Sequence, residues 1–141
     1  MKRPIYVDTG FWIALMDTRD RHHDNARQVF TKNFGISRIV TSEIVIGETV
    51  TYLNCSLKRH DLAVMFLDHM DSAPLQVLEY DAATRIDACA VLRLHAGIPL
   101  SYADCISFAL MQSHSISMFA GYDGHFIRMG FQPVCQGLPG Q

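Results

Sequence analysis

Apolar residues along this chain follow two rhythms. Short unbroken runs alternate with longer stretches in which apolar positions recur every third or fourth residue. An unbroken β-branched or aromatic run suits a strand buried on both faces, whereas the three-to-four spacing suits one face of a helix. "PIYV" (4–7) predicts a buried strand, followed by a short helix through "FWIALM" (11–16). "DRHHDNARQVFTKNF" places Ala26, Val29 and Phe30 at helical spacing, with Asp20 as the candidate cap. "ISRIVT" (36–41) predicts a second strand, and Ser42 caps a long apolar helix, "EIVIGETVTYLNCSL". "DLAVMFLDHM" predicts another helix and "LQVLEY" a third strand. Asp81 caps "AATRIDACAVLRLHA", which stops at Gly97 as a helix C-terminus should. "SYADCISFALMQSH" is helical again, "SMFAGYD" is a short strand, and "FQPVC" is a candidate for one more. Strands alternating with helices imply parallel pairing with helices over the sheet faces. The expected class is α/β.

Length and composition narrow this picture. The 141 residues fit one domain, and a chain of this size can bury roughly 70% of the surface it exposes when unfolded. We expect a single domain over 1–136 and a frayed tail, "GLPGQ", at 137–141. Apolar residues make up 49% of the chain, enough for a proper core, and the longest apolar runs are too short to span a bilayer. Lys2 and Arg3 precede an apolar stretch that soon meets Asp8, with no small-residue cleavage site, so no signal peptide is expected. Cys55, Cys89, Cys105 and Cys135 are scattered without a Cys-x-x-Cys pair, which favours reduced thiols in a cytoplasmic protein over disulfides or zinc. Net charge is −2 and no basic run exceeds Lys58-Arg59, so a nucleic-acid partner is not advertised by bulk charge.

The carboxylates carry the chemistry. In open parallel sheets, sites gather at the carboxyl ends of the strands. Asp8 ends the first strand and Asp123 closes "SMFAGYD" in the same way. Each has a plain structural reading, Asp8 as a helix cap and Asp123 before Gly124 as a turn residue. "DTG" at 8–10 also spells an aspartic protease half-site, but that protease is almost all-β, and the helices here argue against it. Glu48 lies four residues after Ile44 and four before Tyr52, on an otherwise apolar helix face, where an ionised carboxylate needs a partner or a cation. Glu43 sits in the first turn of the same helix, where a negative charge suits the dipole, and is read as structural. Asp104 lies in a helix with no other Asp, Glu, Lys or Arg. Its structural alternative is a capping box with Ser101. Two carboxylates about 5 Å apart repel by roughly 3 kcal/mol at an effective dielectric near 20. Convergent acids therefore call for divalent cations, and oxygen ligands suit Mg²⁺ or Mn²⁺. The fitting chemistry is phosphodiester hydrolysis.

In order and setting, "YVDTGFWIAL", "VTSEIVIGETVTYL", "LSYADCISFAL" and "FAGYDGHFIRMGF" resemble the PIN domain family, and are similar to the VapC toxins of bacterial toxin–antitoxin pairs. The resemblance spans nearly the whole chain. It implies a three-layer α/β/α fold with a central, mainly parallel sheet, and a Mg²⁺- or Mn²⁺-dependent endoribonuclease. It also implies that Asp8, Glu48, Asp104 and Asp123 form the catalytic, metal-binding set, with the Thr9 hydroxyl supporting Asp8. In-line attack of water on phosphorus would leave a 5′-phosphate and a 3′-hydroxyl. The implied partners are an RNA substrate, a small antitoxin protein and a second copy of the chain. The chain departs from the family pattern at Gly121, where many relatives carry Ser or Thr two residues before the last acid.

The remaining constellations are weaker. Asp17, Asp20, His22, His23 and Asp24 could be imagined as a metal site, but adjacent histidines cannot both face one ion from a helix, so a solvated loop and helix start is expected. Cys105 has no positive neighbour to lower its pKa and is expected in the core. His125 is a surface residue or a phosphate contact. Two alternatives to a toxin remain open: an RNA-processing or decay nuclease without an antitoxin, and a non-catalytic RNA-binding or interaction module.

Overall fold

The chain builds one sheet by walking outward, crossing back and starting again on the other side. The computed structural model describes residues 2–135, so the expected tail at 137–141 lies outside the described residues. Strand β1 (Pro4–Val7) leads into α1 (Thr9–Met16) and α2 (His23–Asn33), then β2 (Arg38–Ser42) into α3 (Glu43–Thr51). A π-helical turn over Tyr52–Ser56 extends α3 before α4 (His60–Ser72) and β3 (Leu75–Leu78). Next come α5 (Ala82–Leu94), α6 (Tyr102–Ser113), β4 (Met118–Ala120), α7 (Gly124–Arg128) and β5 (Gln132–Pro133). The five strands stand in the order β3-β2-β1-β4-β5, and every neighbouring pair is parallel. The α/β expectation holds and the protease reading falls, since a two-fold all-β enzyme has no place for this sheet.

The order places β1 at the centre, which its unbroken apolar run requires. Ile5, Tyr6 and Val7 are buried, as befits a strand covered on both faces. The Tyr6 hydroxyl solves its own burial. It donates to Ser107 Oγ on α6 and accepts from Ser42 Oγ at the end of β2, both at 2.7 Å. Trp12 on α1 is held similarly, its Nε1 donating to Thr41 Oγ1 at 3.2 Å while Thr41 donates to the Val7 carbonyl at 3.0 Å. Phe11, Trp12, Phe34 and Phe66 pack as one aromatic group, and Phe108, Phe119, Phe126 and Phe131 as another.

Several boundaries differ from the sequence pattern. Asp20 does not cap α2: its Oδ1 accepts from the His22 N–H in a turn, and the helix starts later, at His23. Helix α5 ends at Leu94 rather than at Gly97, and Gly97 adopts no positive φ. Ser42 and Asp81 do cap α3 and α5 through their side chains. Cys105 is buried as expected, whereas Cys55 is exposed on the π turn. No described helix is long and apolar enough to cross a membrane.

Candidate metal centre

The direction of travel along the sheet reverses between β1 and β4, and such a switch point opens a crevice at the carboxyl ends of the two strands. Asp8 follows β1 directly, its N–H donating to the Ala120 carbonyl at the end of β4 (3.0 Å). Asp123 lies just beyond the same strand. Helices α3 and α6 bring Glu48 and Asp104 to the crevice.

Asp8 occupies the N-cap position of α1 with an extended backbone, yet its side chain makes no capping hydrogen bond. Asp8 is only 6% exposed. Burial pushes its pKa up to about 8, with the charges of Asp104, Glu48 and Asp123 adding to the rise and a Thr9 main-chain hydrogen bond opposing it. Asp104 is raised too, first by burial and then by Asp123 and Glu48, against the pull of hydrogen bonds from Ser101. These mutual repulsions mark the four acids as one electrostatic unit. Among the described residues, no lysine or arginine is ion-paired with any of them.

The structural roles weighed above are also real. Asp104 does close a capping box: Ser101 Oγ accepts from the Asp104 N–H at 3.0 Å, and Asp104 Oδ2 accepts from the Ser101 N–H at 3.1 Å. Asp123 Oδ1 caps α7 by accepting from the His125 N–H at 2.9 Å. Each cap engages one carboxylate oxygen, and those same oxygens, Asp104 Oδ2 and Asp123 Oδ1, lie 3.8 and 3.2 Å from His125 Nδ1. Glu48 is more exposed than its apolar helix face implied, because that face borders the open crevice rather than the core. The support expected from Thr9 goes elsewhere as well. Its hydroxyl donates to Glu48 Oε1 at 2.6 Å, so Thr9 orients Glu48 while only its main chain serves Asp8.

His125 joins the cluster. Its Nδ1 lies 3.2 Å from Asp123 Oδ1 and 3.8 Å from Asp104 Oδ2, buried and without a hydrogen-bond partner. Ligand atoms of Asp104, Asp123 and His125 all fall within 4.8 Å of one another, a spacing able to hold a divalent cation. The Asp-x-His spacing across a turn was the signal in the sequence; its pairing with Asp104 required the fold. Gly121 also gains a reason. A Cβ there would stand 3.2 Å from Asp8 Cβ and 3.4 Å from the Phe119 ring, so a side chain would press directly on Asp8.

The histidine-rich loop does not converge. Asp17 and Asp20 accept from nearby N–H groups, His23 Nδ1 bonds the Ala14 carbonyl, and His22 stacks on Tyr122 at 4.0 Å.

Comparison with known proteins points the same way. The PIN domain family model matches residues 5–132. VapC20 of Mycobacterium tuberculosis, a 23S rRNA-specific endonuclease, is 33% identical over 132 residues, covering 92% of this chain and 97% of the relative. The crystal structure of VapC20, described as a sarcin–ricin loop cleaving toxin, superposes with a TM-score of 0.83 at 31% identity, covering 90% of this chain and 95% of that one. A chain of the DNA-bound VapBC complex from Salmonella typhimurium shares the fold, with a TM-score of 0.68 at 20% identity over 94% of this chain and 97% of that one.

Proposed function

This chain belongs to the PIN domain family, and we propose that it is a Mg²⁺- or Mn²⁺-dependent endoribonuclease of the VapC type, acting on ribosomal RNA and restrained by a protein antitoxin. One observation carries the reading. Four acids share a crevice with no lysine or arginine paired to them among the described residues, and one of them, Asp8, is buried with its pKa pushed up to about 8. Such a site is stable when a divalent cation supplies the missing positive charge. The donor set fits the group, being carboxylate oxygens with one imidazole nitrogen.

Asp8, Glu48, Asp104 and Asp123 would hold the cation, with His125 Nδ1 beside Asp104 and Asp123. Bound there, the cation would activate water and stabilise the leaving oxygen of a phosphodiester. Thr9 keeps Glu48 aimed by its short hydrogen bond, and Ser101 holds Asp104. Filling the site near neutral pH displaces a proton from Asp8, so affinity for the cation rises with pH.

The ribosomal RNA assignment leans on the relative VapC20, which is similar along nearly its whole length. The antitoxin assignment leans on VapC20, described as a toxin, and on the VapBC complex, one chain of which shares the fold. The test is incubation of purified, partner-free protein with ribosomes and with total RNA, in EDTA, Mg²⁺ or Mn²⁺, followed by sequencing of new 5′ ends. A discrete cut in ribosomal RNA that needs the metal supports the reading. Equal cleavage in excess EDTA, or no cut under any condition, refutes it.

A further inference from the structure

Gly47 sits in the interior of α3, where glycine costs about 0.5–1 kcal/mol relative to alanine. The fold gives no reason for it. Its φ is not positive, and a Cβ built there meets nothing within 4 Å. The space it leaves empty belongs to an open cavity of about 590 Å³ that Gly47 lines together with Glu48. Tyr52 and Tyr102 line this cavity, 40% and 42% exposed. Tyr52 starts the π turn that widens α3 at this point, a distortion that recurs at functional sites. Tyr102 opens α6, two residues before Asp104.

An open cavity lined by a glycine, two partly exposed phenol rings and a candidate metal-site carboxylate suits a planar aromatic group next to the scissile bond. We propose that this cavity binds the base of a nucleotide adjoining the cleaved phosphodiester, stacked against Tyr52 or Tyr102 over Gly47. The proposal rests on the ribonuclease reading and extends it from chemistry to substrate recognition. Ser101 and Glu43 also line the cavity. The Glu43 carboxylate only accepts hydrogen bonds, which favours a base whose edge carries an exocyclic amine, whereas the Ser101 hydroxyl suits either edge. Stacking on an aromatic side chain contributes to single-strand binding largely independently of base identity, so the slot would position any RNA while its rim adds preference.

The test uses RNA oligonucleotides spanning the mapped cut, intact or with an abasic residue at each of the three positions on either side. Affinity is read by fluorescence anisotropy with Ca²⁺ in place of Mg²⁺, for wild type, Gly47→Leu, Tyr52→Leu, Tyr102→Leu and Tyr102→Phe. Gly47→Leu fills the slot where nothing clashes, so its melting temperature should equal or exceed that of wild type. One abasic position should weaken wild-type binding roughly 5- to 150-fold, the range of a base–aromatic stack. Gly47→Leu and at least one tyrosine-to-leucine variant should bind intact RNA that much more weakly, with no further loss at the abasic position. Tyr102→Phe keeps the ring and should therefore retain the abasic penalty. An abasic profile that is flat, or unchanged by filling the slot, overturns the proposal while leaving metal-dependent cleavage and the ribonuclease reading intact. If Gly47→Leu instead converts a dimer to a monomer in sedimentation with the abasic penalty preserved, the slot is a subunit contact and the proposal is likewise overturned. Absence of any metal-dependent cut sinks the ribonuclease reading and this proposal together.

Discussion

Replacing Asp8 with asparagine keeps the shape of a buried side chain and removes its charge. In the metal-free protein that charge is suppressed at neutral pH, because burial and three neighbouring carboxylates raise the Asp8 pKa to about 8. The unfolded chain ionises the same group near its ordinary value of about 4. Between those two values the native state binds more protons than the unfolded state, so stability falls as pH rises through the window and levels off above about 8. Each pH unit inside it is worth about 1.4 kcal/mol. At pH 7 the apo wild type therefore stands up to about 4 kcal/mol below the state in which Asp8 carries no penalty. Asp8→Asn should recover about 2–4 kcal/mol of that, a rise in Tm of roughly 6–15 °C for a chain of this size. At pH 5 most of the difference should vanish. Millimolar Mg²⁺ or Mn²⁺ should stabilise wild type by about 2.7 kcal/mol if present at a hundredfold excess over Kd, and the variant far less. Thermal melts of both proteins at pH 5, 7 and 9, with EDTA and with metal, decide the matter. A variant less stable than wild type by the same amount at all three pH values would refute the shared-field argument. Asp8 would then be an ordinary hydrogen-bonding residue.

Thr9→Val removes the 2.6 Å donor to Glu48 and should lower cleavage about 10- to 100-fold, the usual effect of losing a group that orients a ligand; Thr9→Ser should retain activity in the same assay. His125→Gln should weaken Mn²⁺ binding in a calorimetric titration and abolish ¹⁴N coupling in the spin-echo spectrum of the bound ion, and coupling that persists would remove His125 from the ligand set. Gly121→Ser forces a Cβ to within 3.2 Å of Asp8 Cβ, so it should cost about 1–3 kcal/mol by overpacking, read by urea unfolding, and should reduce metal affinity rather than restore a family hydroxyl.

The central strand was legible as a short, unbroken apolar run, and Ser42 and Asp81 cap where residues of their type normally do. Helix α7 was not legible: Gly124–Arg128 is shorter than two turns, too short for a helical period to register. The end of α5 was misplaced because Gly97 is a natural stop, yet the chain leaves the helix at His95 without a left-handed residue. Asp8, Glu48, Asp104 and Asp123 stood out as acids in apolar settings, and the fold brings them into one electrostatic field. What a linear pattern could not contain was the overlap of tasks within each residue. Asp104 and Asp123 each cap a helix and face His125 with the same oxygen, a double role visible only once the local turns are built. The role of Thr9 was misdirected for a similar reason, since its nearest acid in sequence is Asp8 but its nearest acceptor in space is Glu48.

The Tyr6 hydroxyl, buried at the centre of the sheet, joins residues 36 and 101 positions away through two bonds of 2.7 Å. Ser42 is the root of the helix that carries Glu48, and Ser107 lies one turn beyond Asp104, while Tyr6 itself precedes Asp8 by two residues. One phenol thus acts as a spacer block beneath the crevice, setting how far apart three of its acids can stand. The aperture offered to a cation is gauged from below, by the core, rather than only by the carboxylates at its edge. An ion of unsuitable radius must either be met by rotated ligands or pull against those two bonds. Any size selection among cations bound there would in this way be inherited from the floor of the sheet.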